Sequence, residues 1–322
     1  MSYAKHFDPR PTELFPAARA DAGGGDLRDG SVYVYSDDIV LAVNVALATG
    51  RPLLVRGPSG SGKSTLARNV ARTMGWRYYE DVISSRTQAR DLLWRFDTLR
   101  RLNDAAVNQL KAELHPYIDP GVLWWAFDRE SARRRGAPEE AGEIRPASEP
   151  AQESEHARAM VLLDEIDKAD PDVPNNLLVP LGSLEFTVTE IDRRVRAEVA
   201  PLIFITTNEE RELPPAFVRR CIVLTLQGPD EERLVEIARA HFGWAGTADR
   251  GGPDDEALYR KIASLVLQPS GRDRRASPST AEFLDAVRAC KELEVDPDHA
   301  LWAQVAGATL WKPRETLAGT AR

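Results

Sequence analysis

The chain has 322 residues, 43% of them apolar and 29% charged, a globular balance with apolar material for about two domains. Lys plus Arg number 42 against 50 Asp plus Glu, and the resulting formal net charge of −8 argues against broad, non-specific binding to nucleic acid or anionic membrane, though not against a local basic pore or patch. Two cysteines, Cys221 and Cys290, cannot make a disulfide framework, no apolar run approaches ~18 residues, and MSYAKHFDPRPTELF has no signal-peptide core, so membrane, secreted and fibrous classes are excluded and a soluble cytoplasmic protein is expected.

Residues 1–31 are rich in Pro, Gly and Asp and read as an irregular arm. Asp37 and Asp38 then open a short apolar helix, IVLAVNVALA. PLLVRG (52–57) is a continuous apolar run bounded by Pro and Gly, the pattern of a strand buried on both faces. WRYYEDVIS (76–84), MVLLD (160–164), PLIFITT (201–207) and CIVLTL (221–226) are further strand candidates, separated by helical stretches. Such alternation predicts an α/β fold with a five-stranded, largely parallel sheet. Two regions interrupt it. Residues 86–128 predict helical stretches around Leu92–Leu102 and Asp104–Leu114, then GVLWWAF (121–127), whose Trp124 and Trp125 read as core. Ser131–Arg158 holds one large apolar residue, Ile144, and reads as a mobile linker. Beyond Gly228 no strand is predicted; helices at about 230–242, 254–267, 279–294 and 298–307 make a small all-α domain. In the third helix Phe283, Leu284, Val287 and Cys290 share one face, with Ser277 expected as N-cap and Pro278 at the first position.

The chemistry begins at GPSGSGKST. Gly57, Gly62, Lys63 and Ser64 fit G-x-x-x-x-G-K-[ST] in full, with Pro58, Ser59, Gly60, Ser61 and Thr65 completing the loop. Glycines let the backbone curl so that its N–H groups face phosphate oxygens. Lys63 reaches the β- and γ-phosphates, Ser64 offers a hydroxyl to Mg²⁺, and the following helix, with Leu66, Val70 and Met74 on one face, aims its positive end at the phosphates. VLLDEID (161–167) places Asp164 at the carboxyl end of a strand, where ligands bind in parallel sheets, positioned to hold Mg²⁺ directly or through water. Glu165 beside it is the candidate general base for an attacking water. FITTN (204–208) ends another strand in Asn208, a candidate to hydrogen-bond the lytic water or the γ-phosphate. LPPAFVRRC (213–221) offers Arg219 and Arg220 as an arginine finger acting on the ATP of a neighbour. The five histidines have no metal-ligand spacing with each other or with either cysteine.

With these residues in place the chain resembles AAA+ ATPases, and within them the MoxR-like branch, from about Tyr33 to about Leu293. The resemblance rests on Walker A at 57–64, Walker B LLDEIDKAD at 162–170, the sensor-1 strand IFITTN and LPPAFVRRC. GRPLLVRG, SSRTQARDLLWRFD (84–97) and LLVPLGSLEFTV (177–188) resemble MoxR-like proteins specifically. It implies an ATPase domain over 32–227, an α-helical lid over 228–312 and a tail over 313–322. Within the first it implies a helix-2 insertion at about 84–128 and a hairpin running from EFTVT through EIDRR to VRAEV (185–199). It further implies a ring, usually a hexamer, with ATP and Mg²⁺ between subunits, adenine near Val32–Val40, and Arg220 rather than Arg219 at the finger position. A protein partner, with a von Willebrand factor A domain as the usual type, is implied in the same way. The lid departs from the pattern. Ser279, Thr280 and Ala281 stand where a sensor-2 arginine is expected, leaving Arg274 or Arg275 as its replacement, or no sensor 2 at all. Three other readings compete with a partner-remodelling ring ATPase: a P-loop small-molecule kinase, a nucleotide-dependent switch of a defence-type system, and a nucleic-acid motor using Arg193, Arg194 and Arg196.

Overall fold

Five apolar segments pair into the sheet that organises the larger part of the chain. The computed structural model describes residues 3–9, 30–138, 145–242, 253–267 and 278–310. They belong to two units, one drawn from Met1–Pro11, Tyr35–Gly57 and Lys63–Leu226, the other from Thr12–Val34, Pro58–Gly62 and Gln227–Arg322. In the first, α1 (Asp37–Thr49) leads into β1 (Leu53–Arg56), α2 (Lys63–Met74) and β2 (Arg77–Val82). Then follow β3 (Trp94–Phe96), α3 (Thr98–Ala106), β4 (Ile118–Pro120), α4 (Val122–Phe127) and α5 (Arg129–Arg133). β5 (Ala159–Asp164), α6 (Asp172–Ser183), β6 (Glu185–Val188), β7 (Arg193–Arg196), β8 (Leu202–Thr207), α7 (Pro215–Val218) and β9 (Ile222–Thr225) complete it.

The main sheet has five strands in the order β2-β5-β8-β1-β9, every neighbouring pair parallel. β8 is buried at all six positions and β5 at five of six, as continuous apolar runs require in a sheet covered on both faces. Between β2 and β5 the chain places a two-stranded antiparallel ribbon, β3–β4, beside α4. All six residues of α4 are buried, so Trp124 and Trp125 are core as expected. In place of the two helical stretches expected at Leu92–Leu102 and Asp104–Leu114 there is β3 over Trp94–Phe96 and a single helix, α3, which stops at Ala106. Asn108 takes a left-handed φ of 55° and Gln109 N–H donates back to the Asp104 carbonyl at 2.7 Å, closing the helix. The strands β6 and β7 form the expected hairpin.

Two segments expected to be unpacked are packed. Residues 3–9 have no regular structure, but Phe7 is fully buried and its ring lies 5.4 Å from that of Tyr35. Buried Asn44 on α1 accepts from the N–H groups of His6 and Phe7 and donates to the Phe7 carbonyl, doing for an irregular strand what a sheet neighbour would. Residues 145–158, part of the expected mobile linker, cover the edge strand β2. Gln152 accepts from Tyr78 N–H at 2.9 Å and donates to its carbonyl at 3.1 Å. Arg77 donates to the carbonyls of His156 and Ala157, each at 2.8 Å. Glu149 accepts from the buried Tyr79 hydroxyl and from Arg129 Nε, both at 2.8 Å. The segment lacks large apolar groups because its task is polar: it satisfies the backbone of an edge that would otherwise stand open.

In the second unit α8 (Glu231–Phe242), α9 (Pro253–Leu267), α10 (Thr280–Leu293) and α11 (Trp302–Thr309) surround a core of Leu234, Ala238, Ile262, Phe283, Val287 and Cys290. The N-cap of α10 is Ser279 rather than Ser277. Ser279 Oγ accepts from Glu282 N–H and the Glu282 carboxylate accepts from Ser279 N–H, a reciprocal pair that only Ser-x-x-Glu at 279–282 allows. The last helix starts at Trp302, after Asp296 and His299 side chains accept from the N–H groups of Asp298 and Leu301 and hold the chain in turns.

The covering segment has a measurable consequence. Glu149→Ala removes the acceptor of a buried tyrosine hydroxyl and one of the two carboxylate partners of Arg129, and should cost about 1–3 kcal/mol. Thermal unfolding should show a midpoint several degrees lower, whereas a segment that packs nowhere would leave it unchanged.

Candidate functional site

Strand register assembles the site. Leu54 of β1 and Leu163 of β5 both stand beside Ile205 of β8, so one residue further on Val55, Thr206 and Asp164 share a row. The carboxyl ends of three strands therefore open at one edge, and the chain beyond each carries polar groups: the 57–62 loop after β1, Glu165 after β5 and Asn208 after β8. In the loop Gly60 and Gly62 have φ of 77° and 85°, conformations that L side chains rarely adopt. α2 begins at Lys63, so Lys63, Ser64 and Thr65 form its first turn, at the positive end of the helix.

The side chains converge. Ser64 Oγ lies 2.9 Å from both carboxylate oxygens of Asp164, although the two residues are 100 apart in sequence. Lys63, 6% exposed, donates from Nζ to the Gly57 carbonyl at 2.8 Å and to Asn208 Oδ1 at 2.7 Å. Asn208 Nδ2 donates in turn to Glu165 Oε1 at 3.0 Å. Glu165 Oε2 accepts from Lys168 Nζ at 2.6 Å. Burial pushes the Lys63 ammonium below its usual pKa, while the carboxylates of Asp164, Asp167, Glu165 and Glu209 pull it back up. The hydrogen bond to Glu165 holds Lys168 above its usual value.

Three sequence-derived residues, Lys63, Asn208 and Glu165, thus form one hydrogen-bonded chain, and Ser64 with Asp164 forms a second pair of oxygens beside it. That pair, a hydroxyl facing a carboxylate, is the hard donor set that Mg²⁺ accepts when it keeps waters and binds phosphate. The residues fit the ion.

Two supporting residues were not read from the sequence. Buried Thr206 accepts from Glu165 N–H at 2.8 Å and donates to Asp164 Oδ1, so one hydroxyl ties the two acids together. Asp167, 3% exposed, accepts from the backbone N–H groups of Asn208 at 3.4 Å and Glu210 at 3.0 Å. It holds the turn after β8 against the turn after β5. Glu165 and Glu209 sit at φ of 60° and 59°, strained for non-glycine residues and sustained here by these bonds. Thr206 and Asp167 lie inside the quoted motifs, FITTN and DEID, but only the register shows what they touch.

Arg219 and Arg220 stand elsewhere. Arg220 Nη1 donates to the Leu178 carbonyl of α6 at 3.0 Å, and among the described residues no hydrogen bond or ion pair joins either arginine to Lys63, Asp164, Glu165 or Asn208. Arg274 and Arg275 lie outside the described residues. Cys221 is buried, which pushes its thiol up to about 11.

The fold and the arrangement of these residues define a P-loop domain of the AAA class. Residues 52–221 match the model for the AAA domain, dynein-related subfamily, which is more than half of the chain, and the chain belongs to that family. No curated protein matches it. Among solved structures it is similar to a proline-to-glycine mutant of Thermotoga maritima RuvB, with 15% identity, a TM-score of 0.49, and coverage of 88% of this chain and 73% of that one. It is also similar to the Thermotoga maritima RuvB Holliday junction branch migration motor, with 14% identity, a TM-score of 0.43, and coverage of 84% and 67%. Among the described residues no helix is long and apolar enough to cross a membrane.

Asp167→Ala should leave two backbone N–H groups near the site without their acceptor, at a cost of about 1–3 kcal/mol. Denaturant unfolding should show the lower midpoint with an unchanged slope. A variant as stable as the parent would mean that the turn after β8 holds its shape without the carboxylate.

Proposed function

We propose that this chain is an ATP-hydrolysing AAA+ ring motor of the MoxR-like branch, which remodels or activates a partner protein in the cytoplasm. The chain of hydrogen bonds from Lys63 through Asn208 to Glu165 carries this reading, because it joins a phosphate-binding cation to a carboxylate suited to act as a base. In this reading the 57–65 loop cradles the phosphates of ATP and Lys63 neutralises their charge. Ser64 and Asp164 hold Mg²⁺, which when bound offsets the charge on the phosphate oxygens. Glu165 takes the proton of the attacking water and Asn208 orients that water. Arg220, with Arg219 beside it, serves the ATP of the next subunit, consistent with its lying apart from Glu165 in its own chain. The insertion between β2 and β5 and the β6–β7 hairpin support the MoxR-like assignment. That assignment carries with it a hexameric ring and a von Willebrand factor A-type partner. A nucleotide switch that turns over only when a partner is added, and a nucleic-acid motor, are the readings that ATPase assays with added protein or DNA would reveal.

Lys63→Ala should abolish nucleotide binding, read by fluorescent ATP analogue titration, in a protein that keeps a cooperative melting transition at a midpoint lowered by the lost donors to Gly57 and Asn208. Glu165→Gln should still bind ATP but lose about 10²–10⁴-fold in hydrolysis, the usual worth of a positioned base. Arg220→Ala should lose on the order of 10³–10⁵ in rate by removing the stabilisation of transition-state charge. Mixing the last two variants should restore part of the activity, since some interfaces then combine an intact Glu165 with an intact Arg220 from the next subunit. A co-assembled mixture that stays inactive would exclude the trans role of Arg220.

A further inference from the structure

Arg51 lies between α1 and β1, just after Gly50, whose φ of 64° ends α1 in a left-handed cap. Its guanidinium donates to three successive backbone carbonyls. Nε donates to Arg220 O at 3.0 Å, and Nη2 donates to Cys221 O at 3.2 Å and to Arg219 O. These carbonyls belong to the short turn between α7 and β9, whose backbone oxygens need donors from outside the turn. The next residue, Ile222, donates its N–H to Pro52 O at 2.8 Å and starts β9 alongside β1. A single side chain therefore gathers the backbone from which both Arg219 and Arg220 project. The Arg220 side chain rests on the Leu178 carbonyl, at a cleft of about 850 Å³ that Arg51, Gly182 and Phe217 also line.

We propose that Arg51 is a positioning residue for the arginine that this chain offers to its neighbour. Its planar fork fixes the 219–221 backbone so that the Arg220 side chain, on leaving Leu178, arrives at the neighbour's nucleotide in one orientation. The proposal rests on the trans role of Arg220 given above. The rationale is geometric: an arginine that stabilises developing charge acts only when its guanidinium is held close to one place, and a misplacement of about 1 Å costs up to ~10²-fold in rate. Three carbonyls at different angles suit the fixed donors of a guanidinium and not the point charge of lysine. Arg51 also adjoins β1, whose other end leads to the 57–62 loop. The strand that presents a subunit's own nucleotide loop and the arginine it lends its neighbour thus share one anchor.

Arg51→Ala should lower the ATPase kcat by about 10–100-fold with ATP affinity unchanged within about twofold, and Arg51→Lys should fall between the two. The decisive measurement mixes Arg51→Ala with Glu165→Gln. A site with an intact Glu165 belongs to an Arg51→Ala subunit, and it receives an intact arginine whenever its neighbour is a Glu165→Gln subunit, so activity should return. If Arg51 instead supports the nucleotide site of its own chain, every site with an intact Glu165 is damaged and the mixture stays inactive, which overturns the proposal; a fully active Arg51→Ala overturns it too. Should Arg51→Ala fail to fold, as a lost melting transition would show, Arg51→Lys takes its place in the same mixture. The Glu165→Gln and Arg220→Ala mixture is run in parallel. If that pair fails while co-assembled, the trans role of Arg220 falls; if it recovers and the Arg51 mixture does not, the positioning role alone falls.

Discussion

Everything at the site depends on how three parallel strands are aligned. With Leu54, Ile205 and Leu163 in one row, the next residues outward reach the sheet edge together, and the polar groups that follow meet within hydrogen-bond distance. The buried rows behind them leave this register little freedom. Shifting β8 by one residue would turn the Thr206 hydroxyl to the opposite face and break its bridge between Asp164 Oδ1 and Glu165 N–H. The edge is thus specified by apolar packing that takes no part in its chemistry.

Burying a lysine at such an edge is costly unless its donors are used. Lys63 gives them to the Gly57 carbonyl and to Asn208, and four carboxylates nearby counteract the effect of desolvation on its charge. The same groups that stabilise the cation place Asn208 next to Glu165. Strain at Glu165 and Glu209 sits on either side of this arrangement, and Thr206 and Asp167 hold the two turns in place through backbone N–H groups.

Polar contacts also govern places where apolar packing is thin. Residues 145–158 lie on β2 through Gln152, Glu149 and carbonyls that receive Arg77, which explains how a stretch so poor in large apolar side chains has a defined place. Arg51 does similar work at the amino end of β1, gathering three carbonyls of the turn that joins α7 to β9. In both cases the structure answers a local shortage of backbone partners with a side chain distant in sequence.

By itself the sequence determined the α/β class, the five strands and the C-terminal helices, and singled out the 57–65 loop, Asp164, Glu165 and Asn208, because those signals are local: apolar runs, glycine spacing, and polar residues at strand ends. It also contained the Ser279–Glu282 pair that caps α10, though Ser277 and Pro278 offered a competing start. What only the tertiary structure decided is non-local. Strand order and register joined Ser64 to Asp164 across 100 residues and gave Thr206 and Asp167 their partners. The roles of Asn44, Gln152 and Arg51 had no pattern to announce them, since each depends on a backbone group that some other segment leaves unsatisfied. Periodicity records which face of an element is buried; it does not record which distant carbonyl lacks a donor.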